Sequence, residues 1–300
     1  MSSNFMPVPR EADWKYKEQL FRRQWNFPNC IGALNGKNVE APPNGGSLYF
    51  SYKKTFTIVL LALVDVDYHF SVIDIGVFGK NSDSQILNNS NIGKASIDRQ
   101  LNLLGYPLIP GTDLVLPRSI VVDKAFPLTR HLMRPYPANQ LTNDEDKKVF
   151  NYRLSRARRV SENAFGLLVK KLRVYESRFS LLPKYVNGII VATCCLHNLL
   201  RKDLCYWSEE EAQRNVVTEA ITDFPYIGGH AALDAMCDRD QFIDTSYLQL
   251  VPLSSSRGLL EEVFEETNLL TLYYYLVMFL LLLSFAMTCP PSSNEACGVY

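Results

Sequence analysis

The sequence predicts an α/β protein, on three observations. Apolar strands dominate the first half, long helices follow them, and acidic residues stand at or just beyond the strand ends. In order along the chain, residues 11–24 have the spacing of a short amphipathic helix with Trp14, Leu20 and Phe21 on its apolar side, and Asn26, Pro28 and Asn29 end it. Residues 30–41 read as a strand interrupted near Gly36, and 42–47 (PPNGGS) as a turn. The run 56–67 is β-branched and apolar with no helical period, which predicts a strand buried on both faces, and 69–79 reads as its hairpin partner. Residues 83–104 are weakly helical, 105–118 are loop-like, and 118–126 make a third apolar strand. A long helix is predicted over 143–175 from apolar residues at 160, 164, 167, 168 and 172, and a largely apolar core helix over 186–202.

Composition sets the class of protein. The 300 residues are 47% hydrophobic and 21% charged, which excludes a disordered, collagenous or polytopic membrane chain. The net charge of zero conceals a split. Residues 1–202 carry 28 Lys/Arg and 16 Asp/Glu, a net of +12, whereas 203–268 carry 3 and 14, a net of −11. That asymmetry predicts a basic functional part, suited to polyanions, with an acidic extension. The seven cysteines (30, 194, 195, 205, 237, 289, 297) are odd in number and contain no C-x-x-C, so neither a disulfide framework nor a zinc module is expected. The N-terminal stretch has no apolar core of a secretory signal.

The candidate chemistry is acidic. Asp65, Asp67, Asp74 and Asp123 end or follow apolar strands, and Glu162 sits on the basic helix. Carboxylates delivered by strand ends and a helix are how a fold holds divalent ions for phosphodiester chemistry; the plainer reading is that strand-end aspartates cap turns. Residues 153–178 hold eight Lys/Arg against two Glu. A helix this basic suits phosphate tracking, Arg meeting phosphate bidentately, with Arg–Glu pairs on a solvated face as the alternative. His197 lies on an apolar helix and reads as a core histidine, adjacent Cys194 and Cys195 cannot chelate as a C-x-x-C pair would, and Tyr49, Phe50 and Tyr52 read as hairpin packing.

Six blocks, in order, carry a resemblance: FPNCIGALNGKNVEAP (27–42), GGSLYFSYKKTFTIVLLALVDVDYHF (45–70), IDIGVFGKNSDSQIL (73–87), LPRSIVVDKAFPLTRHLMRPYP (116–137), FNYRLSRARRVSENAFGLL (150–168) and CCLHNLL (194–200). Over about residues 27–201 the chain resembles the PIF/Harbinger group of DDE transposases and the nucleases derived from Harbinger transposases. The resemblance implies a ribonuclease H-like fold, a mixed sheet flanked by helices, and a D-D-E metal triad using Mg²⁺ or Mn²⁺ to hydrolyse DNA. It assigns the second acid to Asp123 and the third to Glu162, 39 positions later. At the first position the family pattern Gly-Ala-Ile-Asp-Gly-Lys-His is matched here by Gly32-Ala33-Leu34-Asn35-Gly36-Lys37-Asn38, so Asn35 stands where an Asp is expected. An amide brings no charge and bridges two dications poorly, which predicts weak metal binding and impaired cleavage. The expected metal ligands are therefore Asn35, Asp123 and Glu162, and the expected DNA contacts Lys37, Lys53, Lys54, Arg153, Arg156, Arg158 and Arg159.

The expected organisation is a short helical lead-in (1–26) in place of the family's longer DNA-binding region, a nuclease-like domain (27–202), an acidic extension (203–268) and an apolar tail (269–289). The resemblance implies a DNA partner, a Myb-like partner protein and a nuclear location. Residues 269–287 run 19 positions without a charge, which meets the length criterion for a membrane-spanning helix and sets a membrane-tethered form beside a poorly folded or docked terminal segment. Three readings stand: an impaired nuclease, a DNA- or protein-binding domain that does not cut, and a membrane-anchored derivative.

Overall fold

A computed structural model describes residues 6–7, 9–40, 46, 49–50, 54–78, 87, 90, 92–94, 106–109, 112–204, 221–223 and 231–243. The chain divides into a unit spanning Met1–Gly258 and a second spanning Leu259–Tyr300. Every described residue belongs to the first. Its elements are helix α1 (Glu11–Trp25), strands β1 (Cys30–Glu40), β2 (Thr57–Val64), β3 (Phe70–Phe78), β4 (Ser119–Val121) and β5 (Leu132–Met133), helices α2 (Glu145–Lys171) and α3 (Pro183–Leu204), strand β6 (Ile221–Asp223) and helix α4 (Leu233–Phe242).

The sheet runs β3-β2-β1-β4-β5, with β6 also paired to β1. β2 runs antiparallel to both of its neighbours, β1 and β3, whereas β4 and β5 run parallel to β1. β1 organises the sheet. Its 33–40 stretch takes β2 along one edge, and its other edge is shared by β4 at 30–33 and β6 at 37–39. Every residue of β2 is buried, as the unbroken apolar run predicts for a strand covered on both faces. The mixed sheet with flanking helices is consistent with the expected ribonuclease H-like α/β fold.

Side-chain alternation sorts the two faces. Leu34, Leu61, Leu63, Ile120 and Val122 fall on one face and pack with Trp14 of α1. Ala33, Asn35, Lys37 and Val39 alternate to the other, where the Lys37 ammonium lies 5.8 Å from the centre of the Phe165 ring on α2. β1 passes Gly36 without a break, correcting the expected interruption there. Pairing on both edges supplies the ladder bonds that offset the weak strand preference of glycine. At Gly32 the reason for glycine is close approach: a Cβ would lie 2.7 Å from Leu63 Cδ1 and 3.1 Å from the Val64 carbonyl oxygen.

α1 is an integral layer of the domain. Trp14 and Phe21 are buried, Glu18 pairs with nearly buried Arg118 at 2.7 Å, and Lys17 reaches Asp65 at 3.0 Å. α2 is about 40 Å long at 1.5 Å per residue. Its N-cap Asp144 accepts from the Lys147 N–H at 3.0 Å, and Glu145 and Asp146 at its start with Lys170 and Lys171 at its end complement the helix dipole. Sequence periodicity did not mark β5, β6 and α4, which are short; β6 and α4 also take their partners from distant parts of the chain. Among the described residues no helix is long and apolar enough to cross a membrane, and the apolar run 269–287 lies outside them.

Candidate metal-dependent nuclease site

β1 and β4 set the first two positions. Ala33 pairs with Val121, the last residue of β4, and Asn35 and Asp123 each lie two residues further along the chain from that pair. Adjacent strands lie about 4.8 Å apart, and paired residues project to the same face. That face is the one α2 covers. Asn35 is 6% exposed, and its Oδ1 accepts from the Gly36 N–H at 2.8 Å. Asp123, half-buried just past β4, accepts from the Ala125 N–H at 2.8 Å through Oδ1.

α2 brings the third. Asp123, Lys124, Asn151, Ser155 and Arg158 line a cavity of about 340 Å³, so the middle of α2 stands over the end of β4. Arg158 Nη1 lies 2.8 Å from Glu162 Oε1, one turn further on. Phe165, three residues beyond Glu162, is the ring that Lys37 of β1 meets. Asn35 and Asp123 thus each follow the paired Ala33 and Val121 by two residues, Asp123 and Arg158 line one cavity, and Arg158 and Glu162 form an ion pair.

The donor chemistry fits one hard divalent cation. Asp123 and Glu162 offer carboxylate oxygens and Asn35 an amide oxygen, the ligand type that Mg²⁺ and Mn²⁺ take. With two anionic side chains instead of three, the set is poorer for a pair of bridged ions.

The basic residues divide. Arg159 is exposed, as is Lys54, which adopts the left-handed region at φ 61°. The Arg156 guanidinium sits 5.7 Å from the Trp25 ring centre and 5.8 Å from that of Tyr152. Arg153 is 2% exposed, which removes it from the expected phosphate-contacting surface: its position on α2 turns inward with Phe150, Leu154 and Ala157. Lys53 lies outside the described residues.

The other acidic candidates behave as turn anchors or edge residues. Asp74 pairs with Leu61 within the β2–β3 ladder. Asp65, Asp67 and His69 have potential ligand atoms within 4.8 Å of one another, the one such group among the described residues. They occupy the β2–β3 turn, about 10 Å from Asn35, since Asp65 lies three residues past Ala62, the partner of Asn35. Asp65 is already satisfied: Oδ1 accepts from the Asp67 and His69 N–H groups at 3.1 and 2.9 Å, and Oδ2 meets Lys17. Burial works against its charge, but the His69 hydrogen bond and the Lys17 ammonium outweigh it and hold the carboxyl at about 2. The turn-capping reading of Asp65 therefore prevails.

CCLHNLL is a clamp on the same hairpin. His197 bonds the Tyr68 carbonyl oxygen through Nε2 at 2.8 Å, and burial pushes its pKa down to about 3. Asn198 accepts from the Phe70 N–H at 2.8 Å and donates to the Phe70 carbonyl at 2.9 Å, standing in for a further strand at the β3 edge. Cys194 is buried and its thiol is shifted upward by burial, as expected of an inert core residue. Phe50 packs edge-on against Phe56 at 5.2 Å, which bears out hairpin packing for that part of the aromatic cluster.

Sequence reading missed the polar lining residues Lys124, Asn151 and Ser155. Asn151 is a polar residue on α2, one turn before Ser155 of the same cavity lining. It accepts from the Tyr136 N–H and donates to the Tyr136 carbonyl at 2.8 and 3.0 Å, fastening the segment after β5 to α2.

A mixed β3-β2-β1-β4-β5 sheet with flanking helices, one of them carrying Glu162, defines an α/β domain consistent with the ribonuclease H-like class. The chain belongs to the DDE superfamily endonuclease family, whose model matches residues 37–198. Asp123 and Glu162 lie inside that span and Asn35 two positions before it. It is also 28% identical over 186 residues to a protein described as ALP1-like from Arabidopsis thaliana, across 60% of this chain and 45% of the relative. The chain thus spans less than half the length of that relative. No solved structure matches.

Proposed function

We propose that the protein is a Harbinger-type transposase derivative, a divalent-metal DNA endonuclease scaffold whose cleavage is weakened by Asn35. The observation that supports this is the pairing of Ala33 with Val121, two residues before Asn35 and Asp123, beside the helix that carries Glu162 and whose Arg158 shares a cavity with Asp123. Asp123 and Glu162 hold the ion and Asn35 contributes a neutral oxygen. When bound, such an ion polarises a phosphodiester and supplies an activated water. The protein's own part is to fix Asp123 through the Ala125 N–H, to bury Asn35 against solvent, and to present Lys37, Lys54, Arg156, Arg158 and Arg159 to the phosphates of DNA. Nuclear DNA is the natural substrate of this reading, with a Myb-like protein providing target recognition.

The test is cleavage of plasmid DNA by the full chain in Mg²⁺ or Mn²⁺. Wild type cuts slowly, and Asn35→Asp accelerates it at least tenfold, the equivalent of about 1.4 kcal/mol of restored stabilisation. Brisk wild-type cutting that survives Glu162→Ala would overturn the assignment. A second reading, a DNA-binding domain that does not cut, is favoured by the Arg158–Glu162 pair, which occupies the third acid. DNA binding that is independent of metal, together with no cleavage even by Asn35→Asp, selects it.

A further inference from the structure

Arg158 is placed differently from the other basic residues of α2. Arg158 lines the cavity that Asp123 lines, and its guanidinium holds Glu162 at 2.8 Å. Its side chain is 22% exposed, that of Glu162 44%. The carboxylate expected to close the metal site is thus engaged by a cation from its own helix. A dication cannot take Glu162 at full strength while that pair persists, because both positive groups draw on one carboxylate.

We propose that Arg158 is the positioning residue of the site: it competes with the divalent ion for Glu162 and exchanges that carboxylate for a DNA phosphate when the ion binds. The inference rests on the metal-site reading above. Arg158 has one planar fork and two alternative anions of matching geometry, the Glu162 carboxylate and a phosphate in the cavity. Phosphate binding frees Glu162 for the ion, and ion binding frees Arg158 for phosphate. Linkage makes the effect reciprocal: DNA tightens metal binding by the factor by which metal tightens DNA binding. Replacing the family's acidic first position by Asn35 sharpens the competition, since Glu162 then supplies one of only two anionic ligands.

Mn²⁺ binding to the full chain, followed by the electron paramagnetic resonance signal of the free ion, tests this without any cleavage readout. Arg158→Gln should tighten Mn²⁺ about 1.5- to fivefold, the range expected for removing a partly exposed competing pair. Arg158→Lys should fall between Gln and wild type, because an ammonium competes as a point charge without the fork. Glu162→Gln should weaken Mn²⁺, and adding Arg158→Gln to it should give no further gain. A short DNA duplex should tighten Mn²⁺ in the wild type and lose that effect in Arg158→Gln. Unchanged or weaker Mn²⁺ binding by both Arg158 variants, with melting temperatures close to wild type, overturns the proposal. If Asn35→Asp nevertheless tightens Mn²⁺, the metal site stands and the competition alone falls. If neither Asn35→Asp nor Glu162→Gln moves Mn²⁺ binding, the metal-site reading fails and takes this inference with it.

Discussion

His197 is neutral in the folded chain because burial costs more than its bond to the Tyr68 carbonyl returns. Unfolding exposes it, and the freed imidazole takes a proton as pH falls below about 6.5. Its contribution is therefore complete above that pH and declines downward toward its folded value of about 3. We expect about 2 kcal/mol of stability to be lost between pH 7 and pH 5, with His197→Gln flattening that slope even if the variant is less stable overall; thermal unfolding across the range measures it. Asp65 acts lower. Its pKa is held at about 2 in the fold, so its contribution is present above about pH 4 and lost as pH falls through 2. Asp65→Asn should remove that acid limb and cost about 2 kcal/mol at neutral pH. At Gly32, an added methyl meets Leu63 and the Val64 carbonyl, so Gly32→Ala should destabilise by about 1–3 kcal/mol in urea unfolding.

α2 shows why a run of arginines is not one surface. At 100° per residue, Arg153 turns inward, Arg158 faces the cavity, and Arg156 and Arg159 remain toward solvent. Arg156→Ala with Arg159→Ala should weaken DNA binding and reduce its salt slope by about two, measured by fluorescence anisotropy across a salt series. Arg153→Ala should instead lower the unfolding midpoint, with no change in that slope. α3 makes the matching case for polar residues on an apolar helix: Asn198→Ala removes two bonds to the Phe70 backbone and should cost about 1–3 kcal/mol, because a buried strand edge is left unpaired.

The whole molecule incorporates more of the chain than composition suggests. Residues 203–268 read as an acidic extension, yet α4 within them docks on the domain. Asp238 meets Arg130 at 2.9 Å, the Tyr136 hydroxyl donates to Asp240 at 2.6 Å, and Phe242 stacks on Phe27 at 6.1 Å. Arg239 lies 3.7 Å over the Tyr136 ring. The acidic residues of this helix are therefore answered by basic and aromatic groups around β5. Phe242→Ala should cost about 3–5 kcal/mol, the range for a large buried ring, and it should release α4 to proteolysis before the sheet unfolds. At the other end, α1 reads as a lead-in but is the layer that covers the Leu34 face, so its loss would expose the Trp14 cluster.

Local pattern was enough for β2, β3, α2 and α3, because a continuous apolar run or a sustained 3.6 period is a property of neighbouring residues. It also nominated Asp123 and Glu162, one at a strand end and one on a basic helix, whereas Asn35 stood out only through the family resemblance, as the residue that departs from its first acidic position. Local pattern could not say which of the strand-end aspartates caps a turn. That depended on Lys17 reaching Asp65 from α1, across 48 positions of chain. Nor could it separate Arg153 from Arg158, since burial depends on what α2 packs against. The parallel pairing of Ala33 with Val121, which leads toward Asn35 and Asp123, joins strands nearly 90 residues apart and is set by the closure of the whole sheet, encoded in no segment of it.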